Sequence, residues 1–134
     1  MIIDHIRDLE EFKEFYCDYP MPKRYRFKWL INNPNLFCVY SEDDGRLLGY
    51  ITVQRESGYL TLSGASVRKN MLENLKFIDM VCEAFPEDMY AFTKVKPAIV
   101  LLRRAGFKHI KKDMYVRPYN KPKEMLFNPT LNAD

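Results

Sequence analysis

The chain has 134 residues, of which 47% are apolar and 14% aromatic, so it suits one globular domain and is not a wholly disordered chain. Its net charge is only +3, but residues 1–93 hold 11 basic and 15 acidic side chains, whereas residues 94–124 hold 10 basic and 2 acidic ones. The C-terminal third is therefore either a solvated basic surface or a region that attracts an anion, such as a nucleotide, a nucleic acid or an acidic protein partner.

The apolar residues are not arranged as they are in a membrane or secreted protein. No apolar run approaches the roughly 20 residues of a membrane span. Acidic side chains interrupt the apolar residues of the first twelve positions, whereas the apolar region of a secretion signal is uninterrupted. We therefore expect a soluble protein of the cytoplasm that does not bind membranes.

The cysteines do not form a recognisable framework. Cys17, Cys38 and Cys82 are odd in number and widely spaced, and the chain has only two histidines, His5 and His109. This pattern disfavours both disulfides and a metal site, and we expect no metal. It predicts three buried or half-buried thiols that pack as small apolar side chains.

The first elements are a strand and a helix. The apolar start "MIIDHI" predicts a short strand. Asp8 followed by Glu11 resembles a capping box, and the apolar residues after Asp8 recur at helical spacing, so we expect a helix over residues 9–18. Pro20 and Pro22 end this helix because proline cannot continue its hydrogen-bond ladder.

The segment "KRYRFKWLINN", residues 23–33, alternates basic and aromatic side chains, which suits a strand. Tyr25, Trp29 and Asn32 also share one helical face, and we favour a short helix. Basic residues interleaved with aromatic ones can bind phosphate and stack on bases, so nucleic-acid binding is one functional alternative. The small net charge and the lack of a recognised nucleic-acid motif argue against it.

A three-stranded meander follows. Asp44-Gly45 is a hairpin signal because both residues tolerate a positive φ, and it joins predicted strands at residues 36–40 and 46–56. A second turn at Glu56-Ser57-Gly58 leads into a third strand over residues 59–63.

The second half alternates helices and strands. An amphipathic pattern predicts a helix over residues 68–85, followed by a strand over residues 89–95. Pro97 and Gly106 suit the start and the cap of another helix, and residues 107–118 resume extended structure.

The predicted order, β-α-α-β-β-β-α-β-α-β, describes an α+β fold. We expect a mixed sheet with at least one parallel strand pair and helices on both faces. Residues 1–118 would form a single domain. Residues 119–134 are proline-rich and weakly periodic, and they predict a C-terminal arm or tail.

This order and two segments resemble the GNAT N-acetyltransferase superfamily. The segment "VKPAIVLLRRAGF" is similar to the family pattern Asn-x-x-Ala-x-x-Leu-Tyr-x-x-x-Gly-Phe, with matches at Ala98, Leu101, Gly106 and Phe107. The hairpin "SEDDGRLLGYITV" is similar to the family's second and third strands. The chain also shows a weaker resemblance to small GNAT-like proteins of tailed bacteriophages. This resemblance rests on "LSG" followed shortly by "RK" and on the short length of the chain.

The resemblance implies that acetyl-CoA is the cofactor and that its pyrophosphate lies between the fourth strand and the next helix. The residues that match this region are Val67, Arg68, Lys69, Asn70, Met71 and Leu72. The family has two small residues where this chain has Met71 and Glu73. Backbone amides survive such changes, but the larger side chains restrict close approach, and Glu73 adds a negative charge near the phosphates.

The resemblance also implies catalytic positions. The family's tyrosine, which protonates the leaving thiolate, is matched here by Leu102, which cannot donate a proton. The family's base is often a glutamate on or near the fourth strand, and Glu56 is the nearest acid. Tyr115 is a substitute proton donor. The simpler interpretation makes Glu56 a solvated turn residue and Tyr115 a core residue.

Two functions follow from the resemblance. The first is an acyl-CoA-dependent N-acyltransferase that passes an acetyl group from acetyl-CoA to an amine of unknown identity. The second is an inactive GNAT-fold module that binds a protein partner through its basic C-terminal third, or belongs to a phage virion. The departures from the family pattern favour the second function. Direct attack by an amine tolerates the loss of one general acid, and we lean to the acyltransferase.

Overall fold

The computed structural model describes residues 1–21, 26–67 and 71–119, and these residues form a seven-stranded mixed sheet with four helices. The strands are β1 (Ile2–Asp4), β2 (Leu36–Tyr40), β3 (Leu47–Glu56), β4 (Tyr59–Ser66), β5 (Met89–Phe92), β6 (Lys108–Lys111) and β7 (Met114–Arg117). The helices are α1 (Leu9–Asp18), α2 (Phe27–Asn32), α3 (Met71–Glu83) and α4 (Lys96–Arg104). No helix in these ranges is long and apolar enough to cross a membrane.

The strand order is β1-β2-β3-β4-β5-β7-β6. Strands β1 to β4 pair antiparallel, β4 pairs parallel with β5, and β7 pairs antiparallel with both β5 and β6. Ser57 and Gly58 join β3 to β4 with φ values of 51° and 85°, the left-handed geometry that suits a two-residue hairpin turn. This tight turn fixes the register of the hairpin, so Gln54 lies opposite Thr61.

The helices cover the two faces of the sheet unequally. Helices α3 and α4 close one face over a buried core that includes Val53, Leu62, Phe77 and Leu102. We call this side the α3/α4 face. On the opposite side, the α1/α2 face, the second core cluster joins α1 and α2 to β2 and β3.

Several predicted elements are confirmed. The helix over residues 9–18 is present, and the carboxylate of Asp8 accepts hydrogen bonds from the N–H groups of Glu10 and Glu11. Glu11 does not complete a capping box, because its carboxylate accepts the N–H of Leu47 in β3 at 3.0 Å. The ambiguous segment is helical over Phe27–Asn32, while residues 22–25 lie outside the described ranges.

Other expectations need correction. Residues 107–118 were expected to form a single extended segment. They form instead a hairpin of two strands, β6 and β7, that turns at Lys112, which has φ 47°. The third meander strand continues to Ser66, and the strand expected over residues 89–95 ends at Phe92. Cys17 is exposed, whereas Cys38 and Cys82 are buried as expected.

The arm predicted at residues 119–134 lies outside the described residues except for Tyr119. The N–H of Tyr119 donates to the carboxylate of Asp88 at 2.8 Å, at the start of β5. The boundary between domain and arm stays a prediction.

Candidate functional site

The parallel strands β4 and β5 pair over only two positions and then diverge. Leu60 pairs with Met89 and Thr61 pairs with Tyr90, whereas β4 continues to Ser66 without a further partner in β5. Beyond Tyr90, the residues of β5 pair only with β7. A notch therefore opens in the sheet, with its vertex at Thr61 and Tyr90.

The notch exposes the backbone of β4. The N–H of Val67 donates to the carbonyl oxygen of Leu48 at 2.9 Å. Alternate residues of an antiparallel strand direct their backbone groups to the same side, so those of Leu62, Gly64 and Ser66 face away from β3 and into the notch. Gly64 is exposed although its strand lies in the middle of the sheet. These backbone groups are available to a ligand that carries amide groups.

Helix α3 begins at the wide end of the notch. Among the six residues predicted to hold a pyrophosphate, Arg68, Lys69 and Asn70 lie outside the described residues. Met71 and Leu72 begin the first turn of α3, where backbone N–H groups have no acceptor within the helix and the helix dipole favours an anion. Leu72 is 71% exposed, so its side chain does not belong to the buried face of the helix.

Two residues near this helix start, Val67 and Glu73, have contacts on the β2–β3 side of α3. The N–H of Val67 is already bonded to β3, which leaves only its carbonyl and side chain for a ligand. Glu73 lines a cavity of about 350 Å³ on the β2–β3 side of α3, together with Glu42, Asp43 and Arg46. Val67 lines the same cavity, whose carboxylates, from Glu42, Asp43 and Glu73, do not suit a phosphate.

The vertex of the notch carries a polar network on the α1/α2 face. The Gln54 Nε2 atom lies 2.8 Å from Thr61 Oγ1 and 3.3 Å from Glu56 Oε2. Thr61 Oγ1 also lies 3.2 Å from Glu56 Oε2. The half-buried carboxylate of Glu56 thus reaches the last residue of β4 that pairs with β5.

Gln54 and Thr61 were missed in the sequence analysis. The signal was present, because the turn at Ser57-Gly58 pairs Glu56 with Tyr59 and therefore places Gln54 opposite Thr61. Residues two apart on a strand share a face, so Gln54 and Glu56 also lie together.

The other two candidate positions lie in the core. Tyr115 is 4% exposed on the α3/α4 face of β7, with its ring 5.0 Å from that of His109. Leu102 is 6% exposed and packs in the same core cluster. The structure does not bring Tyr115 together with Glu56, since the two side chains lie on opposite faces of the sheet. Within the described ranges, no three potential metal ligands cluster.

The element order, the seven-stranded sheet and the divergence of β4 from β5 define the fold of the GNAT N-acetyltransferases, in a diverged form. The N-acetylglutamate synthase from Neisseria gonorrhoeae, complexed with coenzyme A and N-acetyl-glutamate, is similar over 90% of this chain with a TM-score of 0.59 and 11% identity. This chain spans about a third of that protein, since the match covers 35% of its length.

A GNAT family acetyltransferase from Brucella melitensis in complex with acetyl-CoA matches with a TM-score of 0.49 and 13% identity, over 90% of this chain and 88% of that one. No protein-family model matches the sequence. No curated protein matches it either. The likeness is therefore one of fold, with little identity in sequence.

Proposed function

We propose that the chain is an acyl-CoA-dependent N-acyltransferase that transfers an acetyl group from acetyl-CoA to an amine. The observation that carries this proposal is the divergence of β4 and β5 after Thr61 and Tyr90. An interior strand that leaves its backbone unpaired is costly unless water or a ligand satisfies the exposed groups. The coenzyme A in the Neisseria structure, on the same fold, supports this assignment.

The cofactor would be held mainly by backbone groups of this chain. The two amides of the pantetheine arm would pair with the exposed groups of Leu62, Gly64 and Ser66. The phosphates would lie at the start of α3, where Met71 and Leu72 offer backbone N–H groups. The predicted contacts of Arg68, Lys69 and Asn70 stay part of this proposal.

The bound cofactor supplies a thioester carbonyl that an amine can attack. Helices α3 and α4 close one face of the sheet, so the amine would approach from the α1/α2 face. Glu56 lies on that face at the vertex, where its carboxylate can take the proton that the amine must lose. Thr61 and Gln54 would hold the carboxylate in place through their hydrogen bonds.

The alternative is a GNAT-fold module without catalysis. It is favoured by Leu102 and Tyr115, because both are buried in the core and neither offers a proton to a leaving thiolate at the notch. Such a module would bind a protein partner through the basic C-terminal third, in the cytoplasm or in a phage virion.

Calorimetric titration with acetyl-CoA separates the two functions. An enzyme should bind acetyl-CoA with a micromolar dissociation constant, about 8 kcal/mol of binding free energy. Leu72→Glu adds a negative charge at the start of α3 and should weaken binding about fivefold, since one like charge near a phosphate costs about 1 kcal/mol in water.

Met80→Glu is the matched control for this titration. Met80 is another exposed apolar residue of the same helix, and its substitution adds the same charge more than two helical turns away. We expect it to leave the affinity unchanged. No heat from millimolar acetyl-CoA would favour the inactive module. Equal weakening by both variants would place the phosphates elsewhere.

A further inference from the structure

Half of the α1/α2 face is not covered by any described helix, because its core cluster contains no residue of β5, β6 or β7. Met89, Ala91 and Tyr115 of these strands belong to the core of the opposite face, so their neighbours along each strand lie on this one. We call this uncovered half the bare face, and its side chains from β5, β7 and β6 are Tyr90, Phe92, Met114, Val116, Lys108 and Lys111. Phe92 is 40% exposed, and both lysines are exposed.

The strand registers arrange these side chains in two rows across the sheet. Each row contains an aromatic ring of β5, an apolar side chain of β7 and a lysine of β6: Tyr90, Val116 and Lys108 in the first row, and Phe92, Met114 and Lys111 in the second. A shift in register between His109 and Lys111 keeps both lysines on this face although they are three residues apart. Tyr59 of β4 extends the first row, with its ring 4.6 Å from that of Tyr90.

The two rows repeat the same spacing of ring and cation. In each row the lysine lies two strands from the aromatic residue, a distance of about 10 Å. Tyr90 and Phe92 are two residues apart on β5, so the rows are about 7 Å apart along the strand. A ligand that matches both rows therefore repeats a flat group and an anionic group.

Positive charge is concentrated at the β6 edge of the bare face. Within the described part of the chain, neither Lys108 nor Lys111 forms an ion pair. The exposed Lys112 adds a third cation at the hairpin turn, and Asp113 is the acid of the same hairpin, which leaves three positive charges against one negative. The carboxylate of Glu56 lies on β3, separated from β6 by β4, β5 and β7. The β6 edge therefore attracts an anion.

A single-stranded nucleic acid has the chemistry that these rows fit. Its bases can stack on exposed aromatic rings while its phosphates pair with nearby lysines, and open sheet faces bind single-stranded RNA in this way. The carboxylate side chains of an acidic peptide would match the lysines but carry no ring of their own. The small net charge of the whole chain argued against nucleic-acid binding, whereas the local charge of one hairpin decides the attraction here.

We propose that the bare face binds single-stranded nucleic acid, with bases stacked on Tyr90 and Phe92 and phosphates along Lys108 and Lys111. Stacking and phosphate contacts do not read base edges, so the binding tolerates many sequences. The inference does not rest on acetyl transfer, and it is measured in the absence of acetyl-CoA.

The test is a titration of a labelled oligothymidylate of about 12 nucleotides, followed by fluorescence anisotropy at low salt. We expect saturable binding, at least about fivefold tighter than that of an abasic oligonucleotide of equal length, because each stacked base contributes about 1–3 kcal/mol. Phe92→Ala should weaken binding about tenfold, whereas Phe92→Tyr keeps an aromatic ring and should retain it. Val100→Ala removes an exposed apolar side chain of α4, on the opposite face, and should change nothing.

Salt dependence tests the two lysines. For single strands, the logarithm of the binding constant falls with the logarithm of the salt concentration by about 0.7 for each phosphate neutralised. Replacing both Lys108 and Lys111 by Gln should therefore reduce this slope by about 1.4. Lys76→Gln, at an exposed lysine of α3 on the opposite face, should leave the slope unchanged.

Three results would overturn the inference: no saturable binding at low salt, equal affinity for the abasic oligonucleotide, and equal affinity in Phe92→Ala and the unmodified protein. Tighter binding of poly-aspartate than of oligothymidylate would also overturn it and would identify an acidic protein as the partner. Calorimetry with acetyl-CoA is a separate measurement, so the proposed function can fail while this inference holds, and the reverse.

Discussion

Gly64 in β4 lies so close to Tyr50 in β3 that a β-carbon at position 64 would be only 2.1 Å from the Tyr50 carbonyl oxygen. The backbone of Ile51 lies 3.0 Å from the same point, so a side chain at position 64 would collide with backbone and not with a flexible side chain. Gly64 therefore allows β4 to lean against β3 where it turns away from β5.

Replacing this glycine should distort the notch. We expect Gly64→Ala to lower the free energy of unfolding by about 3 kcal/mol, the upper part of the range for overpacked sites, as measured by urea denaturation. It should also weaken acetyl-CoA binding. Ser63→Ala, one residue earlier in the same strand, is the control and should change stability by less than about 0.5 kcal/mol. Wild-type stability in Gly64→Ala would contradict the close packing of the two strands.

The same glycine limited what the sequence alone could predict. The predicted third strand ends at residue 63, whereas β4 includes Gly64, which lies in close contact with Tyr50. Glycine weakens strands in general, so it does not by itself indicate the interior of a strand. The β6–β7 hairpin was not predicted because its turn contains no glycine or asparagine. Its turn places Lys112 at a positive φ, where glycine or asparagine would have given a recognisable signal.

Local chemistry predicted other elements well. The cap at Asp8 and the turn at Ser57-Gly58 depend on neighbours in sequence, and both are confirmed. The vertex of the notch depends instead on which strand lies beside which. The pairing of Thr61 with Tyr90 across a parallel crossover is a long-range contact, and no local pattern specifies it.

Glu56 provides a test of the catalytic proposal. Glu56→Gln keeps the size of the side chain but removes the charge and the ability to take a proton, so we expect turnover at saturating amine to fall about 100-fold. Release of the coenzyme A thiol measures turnover, and calorimetry should show unchanged acetyl-CoA affinity. Glu87→Gln, an exposed carboxylate paired with Arg55 on the opposite face, should retain full turnover. A Glu56→Gln enzyme with unaltered turnover would show that another group, or water, takes the proton.

Buried thiol and phenol groups predict alkaline sensitivity. Burial raises the pKa of Cys38 from its ordinary value of 9.0 to about 12, that of Tyr40 from 10.0 to about 12, and that of Cys82 from 9.0 to about 11. The unfolded chain loses these protons at lower pH than the folded chain does. The folded state therefore binds more protons above pH 9, and the free energy of unfolding falls as the pH rises.

We expect the contribution of these groups to be constant between neutral pH and about pH 8 and to decline between pH 9 and pH 12, by up to about 1.4 kcal/mol per pH unit for each such group. Urea denaturation at a series of pH values measures the slope. Cys38→Ala should reduce the slope, whereas Cys17→Ser, at an exposed position, should leave it unchanged. A flat profile up to pH 11 would contradict the burial of these groups.

The three cysteines should also differ in reactivity. A thiol with a pKa of about 11, such as Cys82, is only about 0.1% thiolate at pH 8, and the thiolate is the reactive form. Cys38 is buried as well and has a still higher pKa, whereas Cys17 lies exposed on α1. Ellman's reagent at pH 8 should therefore modify one thiol rapidly in the native protein and all three in guanidinium. Cys17→Ser should abolish the rapid phase, and two rapid thiols in the native protein would show that β2 or α3 opens readily. Because coenzyme A release is measured with the same reagent, Cys17→Ser is also the background in which turnover can be followed without a contribution from the protein.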